Sequence, residues 1–414
     1  MKIQLKETLL KILRWKLKEL SKLTIWRYRP GIIGITGSVG KTSAKLAIAS
    51  VLEGERSVRY SRANFNNELG LPLTILGNYE KIEGMFFWPK VIFKAFWNVI
   101  LKKDYPEILI LEYGVDNLGD MKYLLSIAKP NVSVITTVGE IPAHVEHYSG
   151  PEEVAKEKAK LIESLPAAGF AVLNYDDETV MDVKERTRAH VVTFGFEKGA
   201  AVRVTGFEER HESERPIGVS FKIEYGGSFV PVRLDGAYGR TQGYASAAAA
   251  AVGLIFGLNL VKISAGLEKY APAEHRMNII PGVKYTYILD DCYNASPQSV
   301  YAALDVLREM PAKRRIAVLG DMLEIGKYTM QAHEKVGAIA SKVTDILFAV
   351  GPRAKFIAEG ARAAGMPKRN VYEFDTADEV GAAVQDIMKK GDIVLVKGSH
   401  AMQLDKVVEE IKSF

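Results

Sequence analysis

Gly31-Ile-Ile-Gly-Ile-Thr36-Gly37-Ser38-Val39-Gly40-Lys41-Thr42, running on into Ser43-Ala-Lys-Leu-Ala-Ile-Ala-Ser-Val-Leu52, decides how this chain is read. Residues 32–36 are a short apolar run expected to be a buried strand, and 42–52 carry a helical pattern after a glycine-rich turn. Glycines at 37 and 40 free backbone N–H groups to face phosphate oxygens, and the following helix adds the positive end of its dipole. Lys41 then reaches terminal phosphates, and the Thr42 hydroxyl is placed to ligate Mg²⁺. Gly37, Ser38, Val39, Gly40, Lys41, Thr42 and Ser43 are therefore the expected ATP-binding residues. The spacing departs from G-x-x-x-x-G-K-S/T, because position 35 is isoleucine.

Outward from that loop, strand and helix alternate. Residues 108–112 and 132–136 read as continuous apolar strands of a parallel sheet, 152–165 as a helix and 171–174 as another strand. Between 188 and 234 the period becomes two, with Tyr225-Gly226-Gly227-Ser228 as a turn, so an antiparallel patch is expected there. An alanine-rich helix over 239–257 follows, and strands are then expected at 287–290, 316–320, 346–350, 371–374 and 393–396. The fold class is α/β: a P-loop-containing doubly wound central domain followed by a second Rossmann-like α/β domain. The expected division is an N-terminal helix 1–30, a central domain 31–236 and a C-terminal domain 237–414.

Composition limits the rest. With 48% hydrophobic and 25% charged residues over 414, the chain has the make-up of a folded protein with more than one core. Cys292 is the only cysteine, which excludes an intrachain disulfide and fits a reducing, cytoplasmic setting. Of the net charge of +5, residues 1–30 supply nine basic side chains against Glu7 and Glu19. The body is near neutral, so no nucleic-acid surface is expected. Leu10, Leu13, Leu17 and Leu20 make one helical face among lysines, without the uninterrupted apolar core of a secretory signal. Two readings fit: a helix packed on the body, or a basic helix on an anionic membrane with Trp15 and Trp26 at headgroup depth. The aromatic segment 85–101 is too short and too charged to span a bilayer. It is either a buried helix or a surface helix that receives the first one or a lipid-like substrate, so peripheral membrane contact through 6–22 and 85–101 is a further expectation.

Other motifs sharpen the chemistry. Thr36–Thr42 resembles the T-G-x-x-G-K-S/T loop of the Mur ligase superfamily, which forms amide bonds with ATP. Asn64-Phe-Asn-Asn67-Glu68-Leu-Gly70-Leu-Pro72-Leu-Thr74 is similar to a segment of its D-alanyl-D-alanine-adding branch, and Asn67 is an expected nucleotide-side residue. Leu111-Glu112-Tyr-Gly114 resembles the strand-end motif whose glutamate helps hold Mg²⁺, a role suited to a hard carboxylate donor. Ala143-His144-Val-Glu146 resembles A-H-L-E, whose histidine lies near a second metal position. Ala155-Lys156-Glu157-Lys158-Ala159-Lys160 aligns with A-K-x-K-x-E, making Lys158 the counterpart of the family's carbamylated lysine, with Lys156 and Lys160 as alternatives. Asp290-Asp291-Cys292-Tyr293-Asn294-Ala295 is similar to D-D-S-Y-N-A, and residues 318–326 to V-L-G-D-M-x-E-L-G. Val396-Lys397-Gly398-Ser399 matches V-K-G-S.

The resemblance implies an ATP-dependent carbon–nitrogen ligase. Lys41, Glu112, His144 and Lys158 are its expected catalytic residues, and Thr42, Glu112, His144 and Lys158 its metal ligands. Arg276 would meet nucleotide phosphates and Asp291 the ribose, with Tyr293, Asn294 and Lys397 on the substrate side. The implied partners are a peptide or muramyl-peptide carboxylate and an amino acid or dipeptide amine, D-alanyl-D-alanine in this branch; a ligase for another polymer or lipid-linked substrate, or a non-catalytic homologue, is the alternative. Two departures stand out. Gly239-Arg240-Thr241-Gln242 replaces G-R-H-N on the adenine side, and only some 30 residues precede the phosphate loop. Family members carry a UDP-binding domain there, of about a hundred residues, so that domain is expected to be missing.

Overall fold

The computed structural model describes residues 2–61, 64–84, 86–101, 103–212 and 215–413, with side chains from residue 7 onward. Its first sheet holds β1 (Gly31–Thr36), β2 (Val58–Tyr60), β3 (Ile108–Glu112), β4 (Val132–Ile135), β5 (Phe170–Asn174), β6 (His190–Gly195), β7 (Val202–Glu212), β8 (Arg215–Tyr225) and β9 (Ser228–Asp235). Their order is β2-β3-β1-β4-β5-β6-β7-β8-β9. Strands up to β7 pair in parallel, and β7, β8 and β9 close the sheet as an antiparallel meander. The expected antiparallel patch is thus an extension of the central sheet. Because β3 and β4 flank β1 and the strand order reverses there, a crevice opens beyond its carboxyl end, where ligands bind in open α/β sheets.

The second sheet holds β10 (Asn278–Gly282), β11 (Thr286–Asp290), β12 (Arg314–Gly320), β13 (Ile346–Val350), β14 (Val371–Phe374) and β15 (Asp392–Lys397), in the order β10-β11-β15-β12-β13-β14. Only β10 runs antiparallel to its neighbour. The five strands expected from the apolar runs all form.

The expected boundary at residue 237 is displaced. The helix Arg240–Ile255 keeps Ala247–Ala251 fully buried in the core shared by β1, β4 and the helix α2 (Lys41–Leu52). Alanine side chains let the two helices approach closely, so this helix belongs to the central unit, which runs to Tyr270 before the second sheet begins at Asn278. A helix over Leu260–Leu267 completes that layer, and Ser50 Oγ donates to Gly266 O at 2.5 Å.

At the amino terminus α1 (Lys2–Tyr28) lies against α3 (Gly70–Leu76) and α4 (Phe87–Leu101). Leu17 is fully buried in a small core with Leu73, Leu76, Val91 and Ala95, while Leu13 and Leu20 pack at its edge. Tyr28 Oη donates to Asn98 O at 2.6 Å, fastening the end of α1 to α4. Both sequence readings of 85–101 therefore hold in part: Val91, Ala95 and Val99 are buried, and the opposite face stays in solvent beside α1. Met85 falls outside the described residues. No helix among the described residues is long and apolar enough to cross a membrane.

Gly266 tests how α2 is seated. A Cβ there would lie 2.7 Å from Val51 Cα, a backbone atom with nowhere to go. Gly266→Ala is expected to cost about 1–3 kcal/mol through overpacking; an unchanged urea midpoint would show that this layer yields.

Candidate active site

The phosphate loop is clamped before any ligand arrives. Ser38 N donates to Thr137 O at 2.6 Å, and Thr136 Oγ1 donates to Val39 O at 2.7 Å, tying the loop to the end of β4. Gly37 adopts φ 147°, and a Cβ there would meet Thr136 Oγ1 at 2.0 Å. Gly40, at φ 86°, turns the chain into α2. Side chains are excluded from both positions, which leaves the backbone amides as the lining.

Behind the loop sits a buried carboxylate among lysines. Glu112, at the end of β3, takes Lys45 Nζ at 3.2 Å and the Thr42 hydroxyl at 3.3 Å on Oε2, and Asn66 Nδ2 at 3.3 Å on Oε1. Burial alone would raise its pKa, but Lys45, Lys41 and Arg276 overcome that and hold it below the usual carboxylate range. Lys41 Nζ folds back to Gly37 O at 2.9 Å, and burial lowers its pKa.

The three lysines of the helix Pro151–Glu163 separate by environment. Lys156 is 61% exposed beside Glu152, and Lys160 contacts Glu157 Oε2 at 2.5 Å. Lys158 is buried, its Nζ 3.2 Å from Gly37 O. Burial first, and then repulsion from Lys41, push its pKa down to about 7. Glu157 accepts from Gly119 N and Met121 N at 3.1 and 3.0 Å, locking this helix to the loop that carries Asp116.

His144, at φ 66°, stands where the two domains meet. Its Nδ1 lies 2.6 Å from Glu324 Oε2 of the C-terminal domain, and its Nε2 lies 3.4 Å from Asp116 Oδ1. Burial lowers its pKa against the pull of those carboxylates. Across the cleft, Lys397 Nζ contacts Asp291 Oδ2 at 2.5 Å and donates to Asn294 O at 2.9 Å. The Arg276 guanidinium lies 4.1 Å from the Tyr293 ring, on a loop whose flanking His275 and Met277 take φ 57° and 58°.

These groups line one cavity of about 230 Å³ between the domains, which includes Ser38–Ser43, Glu112, His144, Arg276, Asp291, Tyr293, Asn294 and Lys397. Lys158 is not among the lining residues; its Nζ meets Gly37 O just before the lining stretch of the loop. Asn67 is not among them: its Oδ1 caps α3 by accepting from Gly70 N at 2.9 Å, and Asn64 and Asn66 face the cavity instead. The motif places the loop but does not say which asparagine turns inward. Lys45, Asp116 and Glu324 went unassigned in the sequence; for Lys45 the signal was its place one helical turn after Lys41. A second cavity of about 720 Å³ adjoins the back of the loop and is lined by Thr137, Asn174, Arg240, Thr241 and Tyr244. Gln242 lines the first cavity instead, and accepts from Tyr270 Oη at 2.7 Å.

The pattern of the Mur ligase middle domain matches residues 97–253, and that of the Mur ligase glutamate ligase domain matches residues 275–400. The UDP-N-acetylmuramoyl-tripeptide–D-alanyl-D-alanine ligase of Mycobacterium tuberculosis is 31% identical over 400 residues, covering 92% of this chain and 72% of that protein. The chain belongs to the Mur ligase family. The same enzyme of Synechocystis is 30% identical, over 93% of this chain and 76% of its own length. Among solved structures, the MurF ligase of Thermotoga maritima in complex with ADP has a TM-score of 0.78 at 25% identity, covering 96% of this chain and 83% of that one. This Mur ligase is accordingly an ATP-dependent ligase.

The state of Lys158 has a thermodynamic signature. Its folded pKa near 7 lies below the ordinary 10.5, so between those values the unfolded chain binds more protons and stability rises with pH. Below pH 7 both states are protonated and the full cost of the buried charge is present. In bicarbonate-free buffer, the stability gained by Lys158→Met is expected to be largest at about pH 6 and to shrink toward about pH 10. A gain that stays constant across that range would mean the amine is not held neutral.

Proposed function

We propose that this Mur ligase joins D-alanyl-D-alanine to the terminal carboxylate of a muramyl tripeptide through an acyl phosphate. The observation that carries the reading is the gathering of cations at the clamped loop (Lys41, Lys45, Lys158 and Arg276), within a chain 30–31% identical to enzymes named for that reaction. Such a pocket suits a triphosphate and the charge that builds during phosphoryl transfer.

In this reading Lys41 leaves Gly37 O for the terminal phosphate oxygens, and the loop amides hold the chain of phosphates. Arg276, stacked on Tyr293, approaches from the other domain, and Asp291 takes the ribose. The substrate carboxylate attacks the γ-phosphorus, the bond to the bridging oxygen breaks, and ADP leaves. The dipeptide amine then attacks the acyl carbon, phosphate departs, and the amine's proton passes to solvent. Tyr293, Asn294 and Lys397, which line the cavity from the C-terminal domain, would meet the substrate. Both halves of the site lie on different domains, so closure completes it.

The donor set fits Mg²⁺: the Thr42 hydroxyl and Glu112 Oε2 are hard oxygens already 3.3 Å apart. Thr42, Glu112, His144 and Lys158 would hold the ion, which when bound neutralises charge on the phosphates. Lys158 suits that role as a carbamate. Its neutral amine adds CO₂, forming an N–C bond and releasing one proton, which turns a buried cation into an anionic oxygen donor. The location proposed with this activity is peripheral, with α1 and α4 at the inner membrane face.

Phosphate release from ATP is expected to require a muramyl tripeptide and D-alanyl-D-alanine together. Lys41→Ala is expected to lower kcat by about 10²–10³-fold. No stimulation by any muramyl tripeptide, with or without its UDP group, would sink the proposal. For the carbamate, ¹³C-bicarbonate is expected to give a carbamate resonance in the wild type that is lost in Lys158→Gln; a resonance surviving in that variant would assign the adduct elsewhere.

A further inference from the structure

α1 and α4 turn a shared apolar face to solvent. Trp15 and Trp26 of α1 are 62% and 67% exposed, and Phe93 and Trp97 of α4 are 66% and 41% exposed, with Ile12 and Ile100 alongside. Between the helices runs an open groove of about 490 Å³, walled by Leu20, Trp88, Ile92, Phe93 and Phe96, with Lys16 at its rim. An exposed apolar surface of this continuity marks a contact site rather than ordinary surface.

Its charge says which kind. Lys11, Lys16 and Lys22 on α1 and Lys90 and Lys94 on α4 are all exposed, α4 contains no acidic residue, and none stands between Glu7 and Glu19 on α1. Lysines are depleted from the centres of protein–protein contacts, and a second copy set face to face would bring like charges together. Tryptophan and phenylalanine beside lysine suit the boundary between headgroups and acyl chains, where the rings are half-buried and the ammonium groups meet lipid phosphate.

The same helices support a loop of the active site. Phe65 and Leu69 pack at the edge of the small core that holds Leu17 and Val91, and Arg14 pairs with Glu68 at 2.6 Å. On that loop Asn64 and Asn66 face the catalytic cavity, and Asn66 donates to Glu112. Whatever steadies α1 and α4 steadies a partner of the buried carboxylate.

We propose that α1 and α4 seat on an anionic phospholipid surface, and that this seating steadies residues 64–69 and raises turnover. The second half rests on the ligase reading above; the first does not. The full chain is sedimented with vesicles of phosphatidylglycerol and phosphatidylcholine, and with phosphatidylcholine alone. Binding is expected to be about tenfold tighter to the anionic vesicles and to weaken as salt rises from ~0.1 to ~0.5 M. The double variants Trp15→Ser/Phe93→Ser and Lys16→Glu/Lys90→Glu alter exposed side chains only. Each is expected to lower vesicle affinity by about tenfold and to leave turnover without vesicles unchanged. Turnover of the wild type is expected to rise by about twofold or more on anionic vesicles. Equal affinity for both vesicle types, or a dimer in sedimentation velocity that these variants dissolve, overturns the docking. Binding without any change in rate overturns the coupling. Sedimentation requires no turnover, so an inactive ligase assay leaves the docking decided on its own.

Discussion

Around Glu112 three cations, Lys45, Lys41 and Arg276, act on one buried carboxylate. Lys45 and Glu112 face each other at 3.2 Å with almost no exposure, and Lys41, Lys158 and Arg276 crowd the same small region. Desolvated like charges repel strongly, which disfavours the charged form of a buried lysine. Lys158 is buried beside Lys41 with its Nζ 3.2 Å from Gly37 O, and burial and that repulsion push its pKa down to about 7. The rest of the site follows from that imbalance: a cavity that favours polyanions, a carboxylate held ionised, and an amine ready to react.

The imbalance exists only because the sheet topology converges. β1 delivers the phosphate loop, β3 delivers Glu112 beside it, and β4 delivers Thr136 and Thr137 to clamp the loop from the other side. The C-terminal domain answers with residues at or just beyond the ends of β11, β12 and β15: Asp291, Glu324 and Lys397. His144 touches both Asp116 of its own domain and Glu324 of the other, so the domain contact and the candidate metal region share one side chain.

A second dependence runs outward. The loop at 64–69 has one side in the cavity and the other in the core under α1 and α4. A surface helix pair with aromatic residues in solvent is thereby mechanically close to Glu112, through Phe65, Glu68 and Asn66 and without any long relay.

Much of this was legible in the residues. Apolar runs of five residues separated by helical periods gave the parallel strands, and the Gly-Ser-Val-Gly-Lys-Thr turn gave the phosphate loop, because local sterics and backbone hydrogen bonding dictate both. The sequence left Lys156, Lys158 and Lys160 open, since adjacent helix positions differ in burial only once the helix has a neighbour. It chose Asn67 where Asn64 and Asn66 turn inward, because side-chain direction in an irregular loop is set by what the loop packs on. It placed the domain boundary at 237 because glycine and a change of period stood there, whereas the alanine-rich helix is claimed by the core of α2. Local pattern alone determined the strands, the loop and the class of chemistry. Desolvation and charge proximity, which arise only when distant segments meet, decided which lysine has its pKa pushed down to about 7 and which helix faces stay in water.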